Sequence, residues 1–163
     1  MADAAQGLIA PDAQAIVQMG YVVPDLNRAI VHWSTTLGIG PFTVSGEIII
    51  DDARYRGEPT DVDLVIGVAQ AGTIQVELIQ QNNDVPSCYR DLFPADRGGL
   101  HHVAVRTTDF LGQVARYQAM GCPTAFCGRH QGRHFAYMDT SASLGIMVEL
   151  LEAAPTGSSV TPA

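Results

Sequence analysis

Lysine is missing from this chain: all nine basic residues are arginine. That absence removes Schiff-base chemistry, a lysine general base and the lysine-bearing phosphate loop. Positive charge is scarce in general. The nine arginines face 17 acidic residues for a net charge of −8, which argues against nucleic acid or an anionic membrane surface as the main partner. A small anionic ligand held by a local arginine cluster stays open. Cysteine is sparse and odd in number, at Cys88, Cys122 and Cys127. This spacing matches neither a disulfide framework nor a zinc ribbon and reads as reduced thiols in small buried positions. No apolar run approaches the ~20 residues that span a bilayer. Met1–Pro11 also lacks the basic and apolar regions of a secretory leader. The expectation is a soluble, cytoplasmic protein.

What the chain does have is an apolar content of 47% over 163 residues, enough for one globular domain or two small modules sharing a core. Near the C-terminus, Ile146-Met147-Val148-Glu149-Leu150 reads as a strand. Alternation puts Ile146, Val148 and Leu150 on one face and Met147, Glu149 and Leu151 on the other. Glu149 thus sits between apolar neighbours, where an unpaired charge is costly. The same pattern occurs earlier as Ile74-Gln75-Val76-Glu77-Leu78, with the glutamate in the same register. A duplicated unit with one carboxylate per copy follows.

The rest of the chain supports the duplication. Ala15–Val23 reads as a strand, and Asp25 caps a helix whose apolar face is Leu26, Ile30, Trp33 and Leu37, closed by Gly38. Strands are expected at 42–50, 62–70 and 73–80, with 51–60 as a charged, Gly/Pro-containing loop. After a polar connection carrying a short helix near 87–92, the pattern restarts. Leu100–Thr107 is a strand, Asp109 caps a helix with Phe110, Val114 and Tyr117 on its face, and Gly121 ends it. Strands at 124–129, 134–138 and 146–152 complete the copy. A shift of 84 residues places Gln18 on His102, Gly20 on Ala104 and Asp25 on Asp109. The organisation expected is a loose arm over 1–14, a first βαβββ module over 15–81, a connection over 82–99, a second module over 100–152 and a disordered tail over 153–163. The fold class is α+β, with the two tandem modules pairing into a curved mixed β-sheet cleft.

Each copy offers one polar side chain on its first strand and one glutamate on its last. Approximate two-fold symmetry brings Gln18, Glu77, His102 and Glu149 together, with the small residues Gly20 and Ala104 leaving room for a ligand. One imidazole, one amide oxygen and two carboxylates suit a divalent metal: the carboxylates neutralise the ion, and mixed oxygen and nitrogen donors fit zinc, cobalt, manganese or nickel. A solvent-facing glutamate or a satisfied structural histidine is the plainer account of each residue taken singly. The duplicated register is what favours the metal. Arg129, His130, Arg133 and His134 form a donor-rich segment that could hold a carboxylate or phosphate if it overhangs the cleft. As a solvated hairpin turn it needs no ligand. Tyr21 and Tyr137 either line a pocket or pack.

These stretches carry a resemblance. Gln18-Met-Gly-Tyr-Val-Val-Pro-Asp-Leu26, Leu37-Gly38, Val76-Glu77-Leu78, Gly99-Leu-His-His-Val-Ala-Val-Arg106 and Val148-Glu149-Leu150 are similar to the vicinal oxygen chelate superfamily. That group includes glyoxalase I, methylmalonyl-CoA epimerase, extradiol dioxygenases and the bleomycin- and fosfomycin-resistance proteins. The resemblance implies the glyoxalase/bleomycin-resistance fold, metal ligands at Gln18, Glu77, His102 and Glu149, and a homodimer. Of the two adjacent histidines the repeat selects His102, and alternation turns His101 to the other face. The ligand set resembles zinc-type glyoxalase I, so zinc is the first choice of metal. The text around His102 resembles the epimerases, which carry His at the position of Gln18. The chain has Asp139-Thr-Ser-Ala-Ser-Leu-Gly145 where typical glyoxalases have Asp-Pro-Asp-Gly. The implied activity is an isomerase, epimerase or lyase that moves a proton at a carbon beside a carbonyl through a metal-stabilised enediolate. Glu149 is the first choice of base and Glu77 its partner. The implied substrate is a small molecule, anionic or a thioester. The alternatives are a non-catalytic sequestering protein of the bleomycin-resistance type and an extradiol-type dioxygenase, the latter weakened by Gln18 standing where a second histidine would bind iron.

Overall fold

The computed structural model describes residues 15–154; the arm expected over 1–14 and the tail from 155 onward lie outside the described residues. Ile16–Val22 forms β1, followed by α1 (Leu26–Leu37), β2 (Thr43–Val44), β3 (Asp51–Tyr55), β4 (Glu58–Pro59), β5 (Leu64–Ala71) and β6 (Ile74–Gln81). The short helix α2 (Cys88–Leu92) leads to β7 (Gly99–Thr107), α3 (Phe110–Ala119), β8 (Thr124–His130), β9 (Arg133–Met138), α4 (Ser141–Leu144) and β10 (Met147–Glu152). Local chemistry sets the helix ends. Asp25 and Asp109 each accept a hydrogen bond from the backbone N–H three residues on, at Arg28 and Gly112, and Gly38 closes α1 in the left-handed conformation.

All ten strands form one mixed sheet in the order β2-β5-β6-β1-β7-β10-β9-β8-β3-β4. Its centre is the antiparallel pair β1–β7, and each of these first strands takes the last strand of its own half as a parallel neighbour, β6 on one side and β10 on the other. The two longer helices, α1 and α3, pack on one face. Leu26, Ile30 and Trp33 of α1 meet Val76 and Leu78, while Phe110, Val114 and Tyr117 of α3 meet Val148 and Leu150. The other face carries the largest cluster, in which Tyr89, Phe126, Phe135, Tyr137 and Met147 pack together.

The segment 42–60 differs from expectation. The sequence pattern predicts a strand over 42–50 and a loop over 51–60, yet β2 is only two residues long and the charged stretch is a β-hairpin. Arg56 and Gly57 turn it, both with positive φ (47° and 91°), as a two-residue hairpin loop requires. The hairpin comes from the first half of the chain but pairs with β8 of the second, with Tyr55 opposite Phe126. Burial explains the choice: Ile48, Ile50, Ala53 and Tyr55 pack against the Phe126–Tyr137 cluster. Arg56 secures the hairpin tip by ion pairs to Asp91 and Asp139 at 2.7 and 3.0 Å.

This crossing shapes the molecule. From β2 to β3 the sheet counts eight strand-to-strand steps, which on a flat sheet would need ~38 Å at ~4.8 Å per step. The chain joining Val44 to Asp51 can reach at most ~25 Å. The sheet must therefore curve, and it does so without closing, leaving a cleft on its concave face. No described helix is long and apolar enough to cross a membrane.

Candidate active site

Two neighbouring rows of the sheet underlie the cleft, with His102 fully buried beneath its lining. Gln75, Gln18, Ala104, Glu149 and Tyr137 lie side by side in one row. Val68, Glu77, Gly20, His102 and Met147 form the next. The register exchanges Gln18 with His102 and Gly20 with Ala104 across the β1–β7 axis, as the 84-residue shift anticipates, and Glu77 with Glu149, as their shared sequence pattern does. His102 Nε2 stands 3.6 Å from Glu77 Oε2 and 3.4 Å from Glu149 Oε2. That nitrogen is buried and makes no hydrogen bond, an arrangement that needs explaining because buried polar atoms are nearly always paired.

Two local expectations are corrected. Gly20 does not leave open room for a ligand; the space is taken by the His102 ring, and a Cβ there would lie 1.9 Å from His102 Cε1. His101 does not turn to the opposite face. A β-bulge shifts the register between Gly20 and Tyr21, which face His102 and Leu100 and skip His101. Both imidazoles consequently touch the Tyr137 ring, and their Nδ1 atoms are 3.1 Å apart. His101 Nε2 is 3.0 Å from the Cys88 carbonyl oxygen. Burial, reinforced by His102, pushes His101 down to about 3, so its ring is neutral at physiological pH.

The electrostatics of the carboxylates follow from their surroundings. Burial raises the Glu77 carboxyl to about 7, with His102 opposing the shift and Glu149 adding to it. A carboxyl poised near neutrality can both take and return a proton. Tyr89 and Tyr137 are held well above their ordinary value by burial and keep their hydroxyl protons.

Among the described residues no three His, Cys, Asp or Glu side chains form a ready-made metal-holding group. The fit of a cation rests instead on donor chemistry. An unpartnered imidazole nitrogen faces two carboxylates, and Gln18 commits its amide nitrogen to Gln75 Oε1 at 2.7 Å, leaving its carbonyl oxygen as the free donor. These are the groups that a divalent ion takes.

The cleft encloses about 540 Å³. Gln18, Glu77, Glu149 and Tyr137 line it, and so do His130, Arg133 and His134 of the donor-rich segment. His134 is tied to Glu152 at 2.8 Å and His130 Nδ1 faces the Ile49 carbonyl oxygen at 3.1 Å. Two expected contributors are elsewhere. Arg129 pairs with Asp52 on the surface, and Tyr21 packs edge-on against Trp33 on the helix side. Sequence reasoning passed over Gln75, Arg106 and Tyr89, which also line the cleft. Alternation from Glu77 and from His102 points to Gln75 and Arg106. Tyr89 reaches the site through α2, in a connecting segment with no periodicity to read.

The fold and this floor define the class. A family model described as the Glyoxalase/Bleomycin resistance protein/Dioxygenase superfamily matches residues 17–138, and the chain belongs to that superfamily. Its structure is similar to a hypothetical protein from Bacillus halodurans, at TM-score 0.62 and 12% identity over 90% of this chain and 99% of the other. It is also similar to methylmalonyl-CoA epimerase from Mycobacterium tuberculosis, at TM-score 0.60 and 19% identity over 91% and 94% of the two chains. A variant of the Streptomyces coelicolor epimerase in complex with 2-nitronate-propionyl-CoA matches at TM-score 0.59 and 18% identity, over 89% and 98%. At such identities the likeness concerns the fold. No curated protein matches the sequence.

Proposed function

We propose that the protein is a metal-dependent isomerase, epimerase or lyase that moves a proton at a carbon beside a carbonyl. One observation carries the reading: a buried, unpartnered His102 Nε2 facing two carboxylates on the floor of an open cleft. Gln18, Glu77, His102 and Glu149 would hold the ion, with zinc the first choice and cobalt, manganese or nickel compatible with the same donors. A bound divalent ion would supply positive charge to the substrate oxygen beside the carbon that loses its proton. The residues of the chain do the remainder. Glu77 and Glu149 flank His102 from β6 and β10, on opposite sides of the β1–β7 axis. One carboxylate can remove a proton from one face of a bound carbon and the other can return it. Tyr89 and Tyr137 line the same cavity.

Polarity grades along the cleft. Carboxylates occupy the buried floor, while Arg106 and Arg133 line the same cavity at exposed positions. This supports a substrate whose carbonyl end reaches the floor and whose anionic end stays near the rim, as in an acyl thioester or a hemithioacetal with a remote acid group.

Elemental analysis combined with solvent-deuterium uptake tests the reading. Stoichiometric divalent metal is expected, with metal-dependent deuterium incorporation into a member of a panel of α-hydroxy ketones, hemithioacetals and acyl-CoA thioesters. Glu149→Gln is expected to abolish that incorporation while the circular dichroism spectrum is unchanged. Unaltered incorporation in Glu149→Gln would refute the role of Glu149. Ligand binding by a protein that takes up no metal after reconstitution would instead point to a non-catalytic binding protein.

A further inference from the structure

We propose that His101 is a positioning residue: it holds His102 in the tautomer whose Nε2 presents a lone pair to the space between Glu77 and Glu149. The proposal rests on reading that nitrogen as a metal donor, and it follows from the direction of a short hydrogen-bond chain. The Cys88 carbonyl oxygen can only accept. His101 Nε2, 3.0 Å away, must therefore carry the proton and donate it. A neutral imidazole bears one N–H, so His101 Nδ1 is left as an acceptor. His102 Nδ1 lies 3.1 Å from it and must donate. The single proton of a neutral His102 is then on Nδ1, and its Nε2 is bare. That is the nitrogen with no hydrogen-bond partner, facing the two carboxylates.

Glu149 and Glu77, 3.4 and 3.6 Å from Nε2, attract a proton to that nitrogen, and the bond to His101 opposes them. Metal-bound histidines ordinarily direct the second ring nitrogen at a carboxylate, a carbonyl or water. Here a second imidazole stands between His102 and the carbonyl and passes the constraint from α2 to the cleft. The β-bulge makes the relay geometrically available. On a regular strand, adjacent side chains point to opposite faces, and two consecutive Nδ1 atoms would not meet. Both rings are fully buried, so water cannot replace either bond.

Long-range proton–nitrogen spectra of the wild-type metal-free protein at alkaline pH test the chain without any substitution. His101 is expected as the Nε2–H tautomer and His102 as the Nδ1–H tautomer. His101→Gln retains an oxygen to accept from His102 and an amide to donate to Cys88; it is expected to keep both the His102 tautomer and the wild-type zinc affinity. His101→Phe fills the space with neither group and is expected to mix the His102 tautomers and to raise the zinc dissociation constant ~10–100-fold. A wild-type His102 protonated on Nε2 overturns the proposal, as does a folded His101→Phe that binds zinc like the wild type. If the wild type binds no zinc, the metal reading fails by itself, and the wild-type tautomers decide the role of His101. They decide it equally if His101→Phe does not fold.

Discussion

Replacing Gly20 by alanine would put a methyl carbon where the His102 ring now lies. The added Cβ would be 1.9 Å from His102 Cε1 and 2.4 Å from each ring nitrogen. Ordinary contact begins near 3.4 Å, so the ring must retreat by 3.4 − 1.9 = 1.5 Å or the two central strands must part. His102 has little freedom to move, since it is fully buried, bonded to His101 and packed on Tyr137. Overpacking of this kind costs typically ~1–3 kcal/mol of stability. Displacing a positioned group by more than about an ångström costs on the order of 100-fold in function. The expected outcome for Gly20→Ala is therefore a folded protein, weakened by ~1–3 kcal/mol in urea unfolding, with zinc affinity reduced far more than global stability alone explains. Isothermal titration with zinc, alongside unfolding of the metal-free protein, separates the two effects. A Gly20→Ala protein with wild-type zinc affinity and wild-type stability would refute the placement of His102 over Gly20.

Two further outcomes are expected. The Glu77 carboxyl is raised in the folded protein, by burial first, from 4.5 to about 7. Between those values the native state binds more protons than the unfolded chain, so the stability of the metal-free protein falls as pH rises, by on the order of 3 kcal/mol. Glu77→Gln should flatten that slope in urea titrations, and an unchanged slope would remove Glu77 as its source. Phe126 is fully buried among Tyr89, Phe135 and Tyr137 and faces the hairpin residue Tyr55 across the β8–β3 pair. Phe126→Ala should cost ~3–5 kcal/mol, and hydrogen exchange should show the hairpin amides opening first. Uniform loss of protection across the sheet would contradict that order.

Much of this molecule can be read from residue order, because duplication and side-chain period act locally. The shared Ile-x-Val-Glu-Leu pattern and the 84-residue shift place Gln18, Glu77, His102 and Glu149 on matching strands. Asp25, Gly38 and Asp109 mark helix ends through bonds to their immediate neighbours. The alternation rule also assigns Val148 and Leu150 to the α3 side and Met147 and Leu151 to the cleft side, as the packing has it. Where alternation fails, a long-range contact has overridden it. Asp51–Pro59 reads as loop because charge and glycine dominate it, yet it becomes an edge hairpin since β8 offers unpaired backbone and an aromatic surface to bury Tyr55.

The sequence by itself determined the repeat, the helix caps and which four polar side chains belong to the two central rows, since each depends on spacing along one segment. Only the tertiary structure decided that the hairpin crosses to the far edge and bends the sheet, that the His102 ring occupies the space above Gly20, and that a bulge turns His101 onto the same side. Those features depend on pairing between strands distant in the chain. A one-residue slip in register changes which face a side chain occupies, and no local pattern records where such a slip occurs.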